Sequence, residues 1–140
     1  MIVSLHVATG ALGGALAGTR ARALALGPVL HFVGDRVPHQ DIASHRFEVV
    51  SGAAEVLALA FVRGATDAAV VGAVAASLPD VEHVVRLPRP GGRKLFPSHR
   101  IRGWHHAGGI SARAQLFLAG VLLGAVLDWA KLADRAAGRP

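Results

Sequence analysis

Histidines and carboxylates recur in this chain at spacings that suit a metal ion. The densest segment is His31-Phe-Val-Gly-Asp35-Arg-Val-Pro38-His39-Gln-Asp41. Residues four apart share a helix face, so His31 and Asp35 point the same way, while Pro38 biases Val37 out of the helix and delivers His39 just beyond its end. A helix C-terminus carries partial negative charge, which favours a cation there. A second cluster, Leu78-Pro79-Asp80-Val81-Glu82-His83, puts Pro79 in a first turn and Asp80 and His83 three apart on one side. Pro38-His39-Gln40-Asp41 and Pro79-Asp80-Val81-Glu82 share the order proline, ligand, spacer, carboxylate, which suggests a short internal duplication.

There is no cysteine among the 140 residues, so disulfides and thiolate ligands are excluded and any metal must be held by His, Asp or Glu. The candidate ligands are His31, Asp35, His39, Asp80 and His83, joined by His6 and His99 through their place in the helix order; Asp35 and Asp80 are also the candidate catalytic carboxylates. His105 and His106 are adjacent and must point apart, so one at most reaches a shared ion. His45 and Glu48 form either an additional ligand pair or a solvated entry to a helix, and the second reading is favoured. The plain alternatives are a hydrogen-bonded core histidine at His6, a helix cap made by His31, Asp35 and His39, and a first-turn carboxylate at Asp80.

The elements that must position these residues are helices. Apolar runs span residues 2–18, 23–34, 49–62, 68–78 and 114–129, and none alternates as a half-buried strand would. We therefore expect an all-α chain, one domain over 1–140 built as a small bundle of about five helices, with a basic loop at 86–111. Numbered through that bundle, His6, the 31–41 segment, the 80–83 segment and the 99–106 loop all fall at the same end. The apolar excess comes from Ala, Leu, Val and Gly, with five Phe, two Trp and no Tyr, so the helices should pack through small faces.

Hydrophobic residues make up 52% and mean hydropathy is +0.44, above the usual apolar share. A spanning helix needs about 20 apolar residues, and only the first and last runs approach that length. The expectation is a polytopic membrane bundle, with a compact soluble helical domain as its rival. Residues 1–19 have no basic residue before the apolar run and carry His6 inside it, which argues against a cleaved signal peptide. The net charge of +6 favours anionic surfaces. The 86–111 loop holds Arg86, Arg89, Arg93, Lys94, Arg100 and Arg102 without a carboxylate, which by the positive-inside rule makes the site end cytoplasmic; the basic residues of 131–140 weaken that bias.

Two resemblances rest on these motifs. His31 to Asp35, Pro38-His39 and His45-Arg-Phe-Glu48 resemble the ligand segments of the zinc-dependent phospholipase C and single-strand nuclease superfamily, although Asp35 to His39 is shorter and His45 to Glu48 one residue short of that pattern. Over most of the chain, His6 with Gly10, Pro79-Asp80 with Glu82 and His83, and His99-Arg100 with His105 are similar to the small bacterial inner-membrane proteins known as metal-dependent hydrolases. That likeness implies a bacterial inner-membrane location and a divalent metal cofactor.

The expected function is metal-dependent hydrolysis of a phosphoester or phospholipid-like substrate at the membrane surface. Zinc held by His and Asp would lower the pKa of bound water and polarise the phosphoryl oxygen. Arg93, Arg100 and Arg102, with Arg89, are the candidates to hold the anionic substrate, since guanidinium matches phosphate geometry. The rival is a non-enzymatic membrane protein whose cluster binds metal structurally or ties the helix ends by hydrogen bonds. Nucleic acid ranks last as a partner, because only Phe96 and Trp104 stand in the basic loop to stack on bases.

Overall fold

The computed structural model describes residues 1–85, 87–104 and 107–136, with residues 90 and 130–136 described by backbone alone. The regular elements among them are all helical, in the order α1 (Val3–Ala17), α2 (Arg20–Arg36), α3 (His45–Arg63), α4 (Ala68–Ser77), a 3-10 turn at Leu78–Asp80, α5 (Val81–Val84), a 3-10 turn at Pro90–Gly92, α6 (Pro97–Arg100) and α7 (Ala112–Ala136). Among them there is no strand, only isolated bridges from His39 to Ala107 and Ile110. The five long helices coincide with the five apolar runs; the single turn α5 precedes the basic loop, which contributes the 3-10 turn at Pro90–Gly92 and α6.

Helix starts are set by side-chain caps. Thr19 accepts from the Arg22 amide at 3.4 Å and Ser44 from the Phe47 amide at 3.2 Å, so α2 and α3 begin several residues ahead of their apolar runs. Asp67 accepts from the Ala69 amide at 2.8 Å and starts α4. Gly18, at φ 71°, closes α1 in a left-handed conformation and turns the chain into α2.

Helix α1 is the centre of the bundle, packed against α2, α3, α4 and α7. Its contact with α4 runs through glycine: a Cβ on Gly10 would meet the Gly72 carbonyl, and one on Gly14 the Ala68 carbonyl. Gly27 of α2 meets the Ala75 backbone of α4 in the same way. Such close approach is the small-residue packing that the Ala and Gly excess allows. The main buried cluster joins Val7 and Ala11 of α1 to Leu59, Val70, Ala73 and Val126. A smaller cluster of Ile2, Leu5, Ala8 and Ala119 lies beside it.

Large apolar side chains also face outward. Phe61 is 92% exposed, Phe117 76% and Leu57 69%, with Leu24, Val29 and Val33 exposed along α2. Among the described residues α7 is the one helix long and apolar enough to cross a membrane, over Ala112–Trp129, and 17% of that stretch is buried. The first apolar run forms a helix of 15 residues, apolar because it is enclosed by its neighbours.

Candidate metal centre

The up-and-down course of the helices brings the start of α1, the end of α2, the end of α4 and the segment around α6 to one end. His6 lies near the start of α1, His31 and Asp35 in the last turns of α2, Asp80 in the turn after α4, and His99 on α6. His6, His31 and Asp35 are at most 1% exposed.

Asp35 is the hub. Its Oδ1 lies 3.2 Å from His6 Nε2 and 2.9 Å from the Met1 amino group. Its Oδ2 lies 3.1 Å from His31 Nε2 and 3.2 Å from His99 Nε2, and accepts from Ser98 Oγ at 2.5 Å. Asp80 closes the other side, with Oδ1 3.8 Å from His31 Nε2 and 3.6 Å from His99 Nε2, and Oδ2 4.0 Å from His6 Nε2. His6 and His31 stack face to face, their ring centroids 3.8 Å apart.

The far nitrogens fix what the near ones can do. His31 Nδ1 lies 2.7 Å from the Ala76 carbonyl, which can only accept, so the proton sits on Nδ1 and Nε2 presents its lone pair inward. His99 Nδ1 faces Glu82 Oε1 at 2.6 Å, which assigns the same tautomer. The Nε2 atoms of His31 and His99 are 3.2 Å apart with the Asp35 carboxylate beside both, so two neutral rings would set lone pair against lone pair. Such a convergence of acceptors requires a cation, either protons or a metal ion.

The donor set and its spacing fit a metal. Ligand atoms about 2.0–2.1 Å from one tetrahedral ion stand about 3.3 Å apart. His6, His31 and Asp35 form one group with atoms inside 4.8 Å of one another, and His31, Asp80 and His99 form a second. Buried His and Asp side chains here can therefore hold a metal ion. The buried Asp80 Oδ2 and His6 Nδ1 have no hydrogen-bond partner, and the first of these atoms faces the cluster.

Local electrostatics follow from burial and neighbours. Burial pushes the Asp80 carboxyl up to about 6 against the pull of His31 and His99. His83 is pushed down to about 4, first by burial and then by His99 and Lys94. Burial also opposes a charge on His99, but the Asp35 and Glu82 carboxylates outweigh it and raise its pKa. Glu82 is held low despite desolvation by the amides of Leu95, at 2.6 Å, and Phe96, at 3.3 Å.

The remaining expected residues are placed as follows. His39 is buried beside the cluster but belongs to neither group, its Nδ1 on the Val37 carbonyl at 2.6 Å and its Nε2 facing Asp41 and the Met1 amino group. His83 stands at the rim, Nε2 4.0 Å from Asp80 Oδ1. Glu48 accepts from the Val3 amide at 2.7 Å, which ties α3 to the start of α1. The 38–41 segment is non-helical whereas 79–82 is helical, so the likeness of the two motifs does not reach the backbone. Arg93 is exposed, and Arg100 and Arg102 line a cavity of about 300 Å³ with His83, Lys94 and His99. Arg86, His105 and His106 lie outside the described residues, as do residues 137–140 of the basic tail.

Three contributors were not among the expected site residues: the Met1 amino group beside Asp35, Glu82 and Ser98. Glu82 orients His99 while holding the 95–96 amides, and Ser98 donates to Asp35. The only signal was adjacency: Glu82 sits between Asp80 and His83, and Ser98 precedes His99. The basic loop's aromatic rings are engaged within the fold, Phe96 edge-on to His31 and Trp104 edge-on to Phe32. A larger cavity of about 600 Å³ opens on Asp80, His83 and His99 and is walled by Ile2, Val49, Ala53, Val56 and Val84. Comparison with family models, with curated proteins and with solved structures returns no match.

Proposed function

We propose that this chain is a membrane metalloprotein that hydrolyses a phosphoester or phospholipid-like substrate, with one divalent ion, zinc by its ligand set, held by His6, His31, Asp35, Asp80 and His99. The observation that carries the reading is the inward convergence of the His31 and His99 Nε2 atoms on Asp35 Oδ2. Their outer nitrogens already carry hydrogen bonds, to Ala76 and to Glu82. Such outer partners orient metal-binding histidines and raise their basicity.

A divalent ion there would supply Lewis-acid polarisation of a phosphoryl oxygen and acidify water. Asp80 and His99 border the 600 Å³ cavity, which supports an accessible face to the cluster, and Arg100 and Arg102 border the next cavity in position to meet an anion. The exposed apolar faces of α2, α3 and α7 support a bilayer setting, and the basic residues at the site end support a cytoplasmic orientation in a bacterial inner membrane. A purely structural site is the second reading, favoured by the complete burial of His6 and His31.

The test is one substitution with two readouts. Asp35→Asn keeps the shape of the hub but removes its charge. The unmutated protein, isolated from membranes without chelator or affinity tag, is expected to carry zinc and to hydrolyse bis-p-nitrophenyl phosphate; the folded Asn variant should lose both. Retained metal in Asp35→Asn refutes the ligand role, while a metal-loaded protein inert to phosphoesters refutes hydrolysis and leaves the structural reading.

A further inference from the structure

We propose that the centre takes a single-chain amphiphile, its hydrocarbon chain lying in the apolar cavity between α3 and α5 and its anionic headgroup in the adjoining basic cavity. The chain site is built by periodicity. Val49, Ala53 and Leu57 repeat every four residues along one face of α3, opposite Val81 and Val84 of α5, in a cavity of about 600 Å³. That is an ordinary size for a ligand pocket, with an apolar wall and polar groups at one end. The polar lining is Asp80, His83 and His99 of the candidate cluster together with Asp41, His45 and Glu48.

The second cavity, of about 300 Å³, begins where the first ends, since Asp41, His83 and His99 line both. Its remaining charged walls are Lys94, Arg100 and Arg102, which suit a phosphate or another anion. A free phosphate would leave the apolar cavity unused, and a neutral alkane would leave the cations unused. A molecule that fills both has a chain, a linkage beside Asp80 and His99, and an anionic head. The position of the linkage rests on the metal reading above, whereas the chain site stands on the cavity alone.

The experiment measures binding of hexyl, octyl and decyl phosphate, decanol and inorganic phosphate to the detergent-purified full chain, with metal content determined on the same samples. Affinity should rise at least about tenfold from hexyl to decyl phosphate. Ala53→Trp and Val84→Trp, both at exposed positions, should each remove that chain-length gain without changing the far-ultraviolet circular dichroism. Arg100→Ala with Arg102→Ala should weaken decyl phosphate by about tenfold and leave decanol unchanged. Equal binding of all chain lengths, or indifference to both tryptophans, overturns the chain site; indifference to the arginine pair overturns the headgroup site. Protein that lacks metal yet shows the tryptophan-sensitive chain effect refutes the metal reading and leaves the chain site standing. Metal-loaded protein without a chain effect does the reverse.

Discussion

Asp80 is the residue at which the demands of folding and of metal binding oppose each other. One of its oxygens is buried without a hydrogen-bond partner, and burial raises its carboxyl to about 6, above the usual carboxylate range. A group whose folded pKa lies above its unfolded one stabilises the fold below the unfolded value and loses that contribution as pH rises through the folded one. In metal-free protein the Asp80 contribution should therefore fade between pH 4 and 6. His83 has the opposite sign, since its pKa falls to about 4 and its contribution fades as pH drops from 6.5. Substitution separates the two. In chelator at pH 7.5, Asp80→Asn should melt higher than the unmutated protein by the equivalent of about 1–3 kcal/mol, and the gap should shrink to near zero at pH 4. Thermal melts across that range check it, and a destabilised Asn variant at pH 7.5 would contradict the burial argument. Added zinc should reverse the order at pH 7.5, because the carboxylate is then paired.

At the scale of elements, the long helices were legible because each is an apolar run of helical length, and the site end was legible because alternate helices reverse direction. Their starts were less so. Arg20 and His45 begin helices through Thr19 and Ser44, and such caps compete with the loop roles of the same residue types. Of the candidate site, spacing and order pointed to seven ligands, of which the structure draws His6, His31, Asp35, Asp80 and His99 into two overlapping groups and leaves His39 beside them and His83 at the rim. They could not point to Glu82 and Ser98, whose roles depend on α6 folding back over α2. The α1 and α4 contact was visible only as glycine content, yet it sets the distance between His6 and Asp80. A Cβ at Gly72 would meet the Gly10 carbonyl, whereas one at Gly120 on α7 has open space around it. Gly72→Ala should accordingly destabilise by about 1–3 kcal/mol and weaken zinc retention. Gly120→Ala should be neutral or stabilise by up to about 1 kcal/mol through helix propensity. Denaturant titration of both variants decides it; equal effects would mean that α1 and α4 are not in backbone contact.

For the whole molecule the decisive feature is that a chain of 140 residues encloses a polar cluster at one end while turning large apolar side chains outward. A soluble monomer rarely leaves so many of them in water, and α3 and α7 together expose Leu57, Phe61, Phe117 and Val121. In a bilayer those faces meet hydrocarbon and the bundle needs no partner. The two ends differ in degree: Arg89, Arg93, Arg100 and Arg102 follow α5 at the site end, whereas the opposite end carries Arg20 and Arg22 at the start of α2 and Arg63, which is engaged with Asp67 at 2.9 Å and with the Val126 carbonyl at 3.0 Å. On the bilayer reading proposed above, the positive-inside rule would weigh this basic loop and direct the site end to the cytoplasm. The absence of cysteine makes this directly measurable. Single cysteines at Ala65 in the α3–α4 turn and at Arg93 in the basic loop, both exposed, mark the two ends. In intact cells an impermeant maleimide should label Ala65→Cys, and it should reach Arg93→Cys only after the membrane is opened. The protein should also remain in the membrane pellet through carbonate extraction. Labelling confined to Arg93→Cys would invert the orientation, and recovery of the chain in the carbonate supernatant would replace the bilayer with a protein partner as the cover for these faces.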